Sequence, residues 1–411
     1  MDLFLLIAGL VVFGSILLTP VSARIGAPLL LLFLAVGMLA GEDGPGGLHF
    51  NDFGLAYEIG AVALALILLA GGLDTPLADL RRAAAPAIAM ATVGVVATAG
   101  AVGGLAHLLL GMPLIQALLL GSVVASTDAA ATFLLLRQSG VILKGRMRET
   151  ILVESGLNDP MAIFLTVAFV GLVDSGMPLA WETLPDLAAL LAQQLGVGAI
   201  AGLAGGWLAA RIAQRIVLPA GLYAPLTLAA ALAVFAATRL VEGSGFLAIY
   251  LFGIVVAARA PRSAERAAQF MDGISWLAQI VMFLMLGLLV TPHALGASIV
   301  PGLLVAAALI FIARPLATTL CLTPLRVPLR QQAYIGWVGL RGAVPIFLAI
   351  IPVISPGPMT ESFFDVVFVV VIASLVLQGW TIAPMARWLG VTGRDGETEG
   401  QGAGLSPPGS P

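Results

Sequence analysis

Residues 149–173 read ETILVESGLNDPMAIFLTVAFVGLV, an apolar run long enough to cross a bilayer core yet interrupted near its middle by Glu154 and Asp159. Ionisable groups at such depth oppose insertion by ~2.5–3.5 kcal/mol or more each and are functional candidates by default. On a helix Ser155 and Asp159 share one face and Glu154 and Asn158 another, each pair being four residues apart. Glu154 and Asp159 are five apart and point about 140° from one another around the axis, into different surroundings. Pro160 leaves the Gly156 carbonyl without its helical amide partner. A carboxylate, a hydroxyl and a free carbonyl form a hard-oxygen environment, suited to a proton or a dehydrated alkali cation. Capping of a helix break at Pro160 accounts for Asp159 alone and leaves Glu154 without a reason.

The rest of the chain has the composition of a membrane protein. Of 411 residues 60% are hydrophobic and 10% charged, against about 25% charged in soluble domains. Net charge is −3 and Lys144 is the single lysine, so no basic patch suggests nucleic acid. Cys321, alone, permits neither an internal disulfide nor a thiolate cluster. His49, His107 and His293 have no partner at metal-ligand spacing, and no cofactor is expected. Asp2 stands where a cleavable signal has basic residues, so the first apolar run is expected to remain as a helix.

Apolar spans fall at 2–19, 27–40, 53–73, 84–109, 112–135, 149–173, 187–210, 223–239, 243–258, 271–290, 295–322, 333–351 and 362–389, about thirteen transmembrane helices in all. Alternate loops hold Arg24; Arg81 and Arg82; Arg137, Lys144, Arg146 and Arg148; Arg211 and Arg215; Arg259, Arg262 and Arg266; Arg326 and Arg330; Arg387 and Arg394. That is 16 of the 19 basic residues. The opposite loops hold Glu42, Asp43, Asp52, Asp174, Glu182, Asp186, Glu361 and Asp365, with Arg239 their one base. The positive-inside rule then predicts a periplasmic N-terminus and a cytoplasmic C-terminus. Residues 1–390 are expected to form one transmembrane domain, and 391–411, rich in Gly, Pro and Ser, a disordered cytoplasmic tail.

Thirteen spans divide as six, one and six, and a shift by seven reverses each helix, which generates inverted six-helix repeats. Under that shift the fifth span, with Ser126-Thr127-Asp128, matches the twelfth, with Gly339-Leu340-Arg341-Gly342-Ala343-Val344-Pro345. Charged or Gly/Pro-broken segments at corresponding positions point to a transporter site. Asp128 is predicted to cap a half-helix while facing the ion path. Arg341 is the expected partner of Glu154, joining the two repeats across the core. Arg314, in Ala313-Arg314-Pro315, is expected near a broken helix end or snorkelling to the interface.

At these motifs the sequence resembles the monovalent cation:proton antiporter family, in particular bacterial NhaP-type sodium or potassium/proton exchangers, and most of all the potassium/proton members. The stretches that carry the likeness are GSVVASTDAAAT (121–132), ESGLNDPMAIFLT (154–166), WLAQIVMFLMLGLLV (276–290) and GWVGLRGAVP (336–345). The resemblance implies an all-α sodium/proton antiporter fold whose two broken helices, the fifth and twelfth, cross in a core that moves against a homodimer-forming panel. It implies exchange of H+ for K+ or Na+ in a bacterial inner membrane, with Asp159 binding cation or proton in turn. It also implies that Thr127, Asp128, Ser155 and Asn158 are neighbours of the ion, and that Glu154 and Arg341 form a structural ion pair. Relatives commonly carry an acid where this chain has Ala70, and Pro where it has Ala129; the potassium/proton members continue into a cytoplasmic regulatory domain, where only the tail is expected here.

The two rivals fit less well. A channel needs rings of carbonyls or charges along a continuous pore, whereas the titratable groups here gather at one depth. An intramembrane hydrolase needs a serine with a histidine base or two facing aspartates; His107 and His293 lie near span ends, far from Ser155, Asp128 with Asp159 is the one arguable pair, and no enzyme is expected.

Overall fold

The computed structural model describes residues 2–19, 28–144, 146–177 and 179–393. Helices build it, with two isolated backbone bridges and no strand among the described residues. In order they are α1 (Asp2–Leu17), α2 (Leu29–Ala40), α3 (Phe53–Leu73), α4 (Leu77–Ala89), α5 (Val95–Leu110), α6 (Leu114–Val123), α7 (Ala129–Gln138), α8 (Met147–Ser175) and α9 (Leu184–Arg215). There follow α10 (Tyr223–Leu240), α11 (Gly245–Arg259), α12 (Pro261–Leu288), α13 (Gly296–Ala308), α14 (Arg314–Leu322), α15 (Leu329–Trp337), α16 (Ala343–Ile354) and α17 (Glu361–Trp388). Among the described residues eight stretches are long and apolar enough to cross a membrane, and α2, α6, α11 and α16 are shorter apolar helices.

Side chains start several of these helices. Asp52 accepts from the Leu55 amide (2.8 Å) at the head of α3, and Ser244 from the Leu247 amide (3.3 Å) at the head of α11. Two long stretches are joined by single π-helical segments, Met90–Gly94 between α4 and α5 and Leu309–Ala313 between α13 and α14. The segments expected to be broken are broken: α6 ends at Val123 and α7 begins at Ala129, while α15 ends at Trp337 and α16 begins at Ala343.

Within a bilayer, helices are drawn together by close backbone approach and not by the hydrophobic effect. Gly198, Gly202 and Gly206 lie one turn apart on α9, against the backbone of Ser244 and of Ala248 and Phe252 on α11. The opposite face of α9 bears exposed Ile200, Leu203, Trp207 and Leu208. A layer of rings crosses the bundle, with Tyr57 of α3 stacked on Phe347 of α16 at 5.3 Å, Phe347 edge-on to Phe246 of α11 at 6.5 Å, and Phe246 against Phe235 of α10 at 5.1 Å.

Charged residues gather at the ends of the bundle. At one end Asp43 accepts from the His293 amide at 2.8 Å, which holds its carboxyl below the usual carboxylate range, and Asp174 packs on Gly357. At the other, Arg82, Arg146 and Arg326 surround one cavity. Residues 391–393 do not belong to a free tail: the Lys144 amide donates to the Val391 carbonyl (2.9 Å) and the Gly393 amide to that of Ile142 (2.8 Å). Arg24, Arg394 and the remainder of the expected tail lie outside the described residues.

Gly202→Leu should destabilise the protein by about 1–3 kcal/mol, because its new Cβ meets the Ala248 carbonyl oxygen. Gly196→Leu on the same helix meets nothing and serves as control. Thermal unfolding in detergent reads the difference; equal midpoints would show that the α9–α11 contact is loose.

Candidate functional site

The site is built where the two breaks cross. Each interruption exposes carbonyls at the end of one half-helix and amides at the start of the next, and in a membrane these must find partners inside the protein. The Asp128 amide donates to the Leu340 carbonyl at 2.8 Å, tying one break to the other. Arg341 sends Nη1 to the Ala125 carbonyl (2.6 Å) and to that of Ser126, covering carbonyls in the first break. Its own amide donates to Ser374 Oγ (3.0 Å), while Gln378 Nε2 donates to the Trp337 carbonyl (2.6 Å) at the end of α15.

Asp128 caps α7 as expected, its Oδ1 accepting from the Ala131 amide at 3.0 Å. The other carboxylate oxygen lies against Gly342, the residue that opens α16, where any Cβ would collide with it. One carboxylate thus caps α7 and packs on the residue that precedes α16.

α8 runs beside this crossing and stays helical through Pro160. Ser155 Oγ donates to the Thr127 carbonyl (2.8 Å) and accepts from the Ala129 amide (3.0 Å), so a side chain of α8 completes the broken backbone. Asn158 Nδ2 donates to Thr127 Oγ1 at 2.5 Å. Asp159 Oδ1 accepts from Ser126 Oγ. Asp159 is buried, 6% exposed, and what exposure it has is to a cavity of about 330 Å³.

Ser126, Thr127, Asp128, Ser155 and Asp159 all line that cavity, so the structure brings together the expected ion neighbours; Asn158 does not line it and acts by bracing Thr127. The cavity continues past Ala70, Thr75 and Asp74 to Asp272 and Arg148. Phe347 lies one turn beyond the lining residue Ala343, and the ring layer therefore begins where the cavity stops.

One expected pair is corrected. Glu154 does not meet Arg341; its Oε1 accepts from Arg314 Nη2 at 2.5 Å, with both side chains buried. Arg341 is held by the Ala125 and Ser126 carbonyls of the break instead, and the glycine at 339 leaves room for the Arg314 guanidinium, whose Nε lies 2.8 Å from where a Cβ would stand. Arg314 neither snorkels nor sits at the interface, being 2% exposed. As the helical angle predicts, Glu154 points to a different side of α8 from Asp159, toward Arg314 and Gly339, with Thr127, Asp128 and Ala129 between the two.

Sequence reasoning missed two further contributors. Ser126 stood inside the quoted motif without a role, though a hydroxyl two residues before a buried acid was a usable signal. Tyr250 of α11 lays its ring on Gly156 and brings its hydroxyl within 3.5 Å of Thr75 Oγ1; nothing local in the chain announces a contact across such a separation.

Asp159 thus meets the cavity among hydroxyl oxygens, with Asp128 beside it capping α7, while Glu154 is paired with Arg314 away from it. Residues 10–388 match the family described as sodium/hydrogen exchanger, transmembrane. The K(+)/H(+) antiporter NhaP of Alkalimonas amylolytica is 45% identical over 389 residues, 94% of this chain and 67% of that protein. The K(+)/H(+) antiporter NhaP2 of Shewanella sp. (strain MR-4) is 44% identical over 388 residues, 93% of this chain and 66% of that one. The chain thus spans about two thirds of the length of these curated relatives. The sodium proton antiporter MjNhaP1 from Methanocaldococcus jannaschii shares the fold, with a TM-score of 0.81 over 95% of this chain and 99% of that one at 23% identity.

Glu154→Gln or Arg314→Leu alone should destabilise the protein by roughly 3–5 kcal/mol, since each strands a buried charge. The double variant should recover part of that loss, giving a coupling in a double-mutant cycle that the Glu154/Arg341 cycle lacks. Additive effects for Glu154 with Arg314 would contradict the pairing.

Proposed function

The chain belongs to the transmembrane sodium/hydrogen exchanger family, and from that membership we propose that it exchanges protons for potassium or sodium, one for one, by alternating access at Asp159. The observation that carries this reading is the isolation of Asp159. Glu154 is matched by Arg314 and Asp128 caps the start of α7, which leaves Asp159 as the buried carboxylate free to trade a proton for a cation. Ser126, Thr127, Ser155 and Asp128 supply the surrounding oxygens, and Asn158 holds Thr127 in place. Potassium is favoured by the relatives at 44–45% identity, both named as K(+)/H(+) antiporters.

The same reading takes the helices as thirteen crossings with the N-terminus outside, and the two halves as inverted repeats. Support comes from the paired irregularities: π-helical segments in the fourth and eleventh spans, breaks in the fifth and twelfth. On that orientation the cavity opens to the cytoplasm, at the end that carries Arg148 and Asp272. The exposed apolar face of α9 suits a second copy of the chain in the bilayer of a bacterial inner membrane.

Asp159→Asn should abolish exchange in proteoliposomes, read as loss of cation-induced dequenching of a pH dye, while the protein still inserts and elutes as the parent does. The amide keeps the shape but cannot alternate between proton and cation. Comparing sodium, potassium and lithium on the parent protein identifies the substrate, and ordinary rates in the variant would sink the assignment.

One carboxylate holding either a proton or a monovalent cation bears the same charge in both loaded states. Exchange should therefore draw no current on a solid-supported membrane and ignore an imposed potential, although each charge moved would be worth ~2.3 kcal/mol per 100 mV. A measurable cation-evoked current would overturn the one-for-one stoichiometry.

A further inference from the structure

A second cavity, of about 380 Å³, lies at the arginine-rich end of the bundle and shares no lining residue with the one at Asp159. Arg82 of α4, Arg146 before α8 and Arg326 between α14 and α15 line it, and among the described residues no carboxylate does. Glu149, in the first turn of α8, stands outside the lining. Two helices also begin there, α8 after Arg146 and α15 after Pro328, and neither has a side-chain cap on its free amides. Arg146 Nη1 already donates to the Arg82 carbonyl (3.4 Å), and three arginines with two helix starts lacking side-chain caps meeting at one cavity form an anion site.

Arg326 adds a conformational observation. It closes α14 in the left-handed region, φ 55°, where its amide donates to the Thr323 carbonyl (3.0 Å) and the Val327 amide to that of Leu322 (3.2 Å). Glycine would hold this turn with less strain. The chain has an arginine there, and the turn delivers its side chain to the cavity.

We propose that this cavity binds the phosphate group of an anionic phospholipid. Guanidinium forks match phosphate oxygens in pairs, and basic pockets between helices at the membrane boundary suit such headgroups. Leu325 and Leu329, 41% and 73% exposed, flank Arg326 and offer an apolar edge for acyl chains, which a free phosphate would not need. The site joins the start of α8, which carries Asp159, to the start of the second broken pair, α15 and α16.

The test is the thermal unfolding midpoint of the purified protein in neutral detergent, titrated separately with phosphatidylglycerol, phosphatidylcholine and inorganic phosphate. Phosphatidylglycerol should raise the midpoint and phosphatidylcholine should not. Arg326→Gly, which relieves the strained turn, should bind phosphatidylglycerol about tenfold more weakly with no lower midpoint of its own, and Arg146→Gln should weaken it similarly. Equal protection by inorganic phosphate would overturn the lipid assignment in favour of a soluble phosphate. Unchanged phosphatidylglycerol titration in both variants would overturn the site altogether.

Discussion

The hydrogen bond from the Asp128 amide to the Leu340 carbonyl marks the constraint on which the rest of this structure depends. A helix broken inside a membrane exposes backbone groups that no lipid can satisfy, and one break alone would be hard to sustain. Two breaks that cross can satisfy each other. Arg341 covers carbonyls in the first break, Asp128 caps the amide start of α7 and packs on Gly342 ahead of α16, and Gln378 takes a carbonyl at the end of α15. Charges that would otherwise oppose insertion become the means by which unwound backbone is tolerated at that depth.

That arrangement also explains why polar residues on α8 have distinct duties although they lie within one turn and a half. Ser155 mends the break at Thr127 and Ala129, Asn158 steadies Thr127, Glu154 holds Arg314, and Asp159 meets the cavity. A segment wound at 3.6 residues per turn distributes neighbours in sequence around different partners in space. The bundle can therefore be rigid on one face of α8 and chemically available on another.

Much of this was legible in the chain. Apolar runs of membrane length located the helices, glycines and a proline located the second break, and the Ser-Thr-Asp sequence located the first. The five-residue spacing of Glu154 and Asp159 already required two environments. The partner of Glu154 was not legible, because two arginines lie within spans and pattern alone does not tell which guanidinium faces which carboxylate. The answer depends on side-chain room at Gly339 and on carbonyls at Ala125 and Ser126, which exist as partners only after the helices have crossed. Tyr250 escaped for the same reason, since its neighbours Gly156 and Thr75 come from two other helices.

The ring layer formed by Tyr57, Phe235, Phe246 and Phe347 has an electrical meaning as well as a packing one. A cavity reaching in as far as Asp159, with Ser126, Thr127 and Ser155 in its wall, gives water a path deep into the bundle and carries a higher dielectric with it. The membrane potential then falls mainly across the thin apolar slab that remains, in place of the full hydrocarbon thickness of about 30 Å. Those aromatic side chains act as the insulator of a narrow capacitor, and a polar substitution among them would redistribute the field even with the ion site untouched.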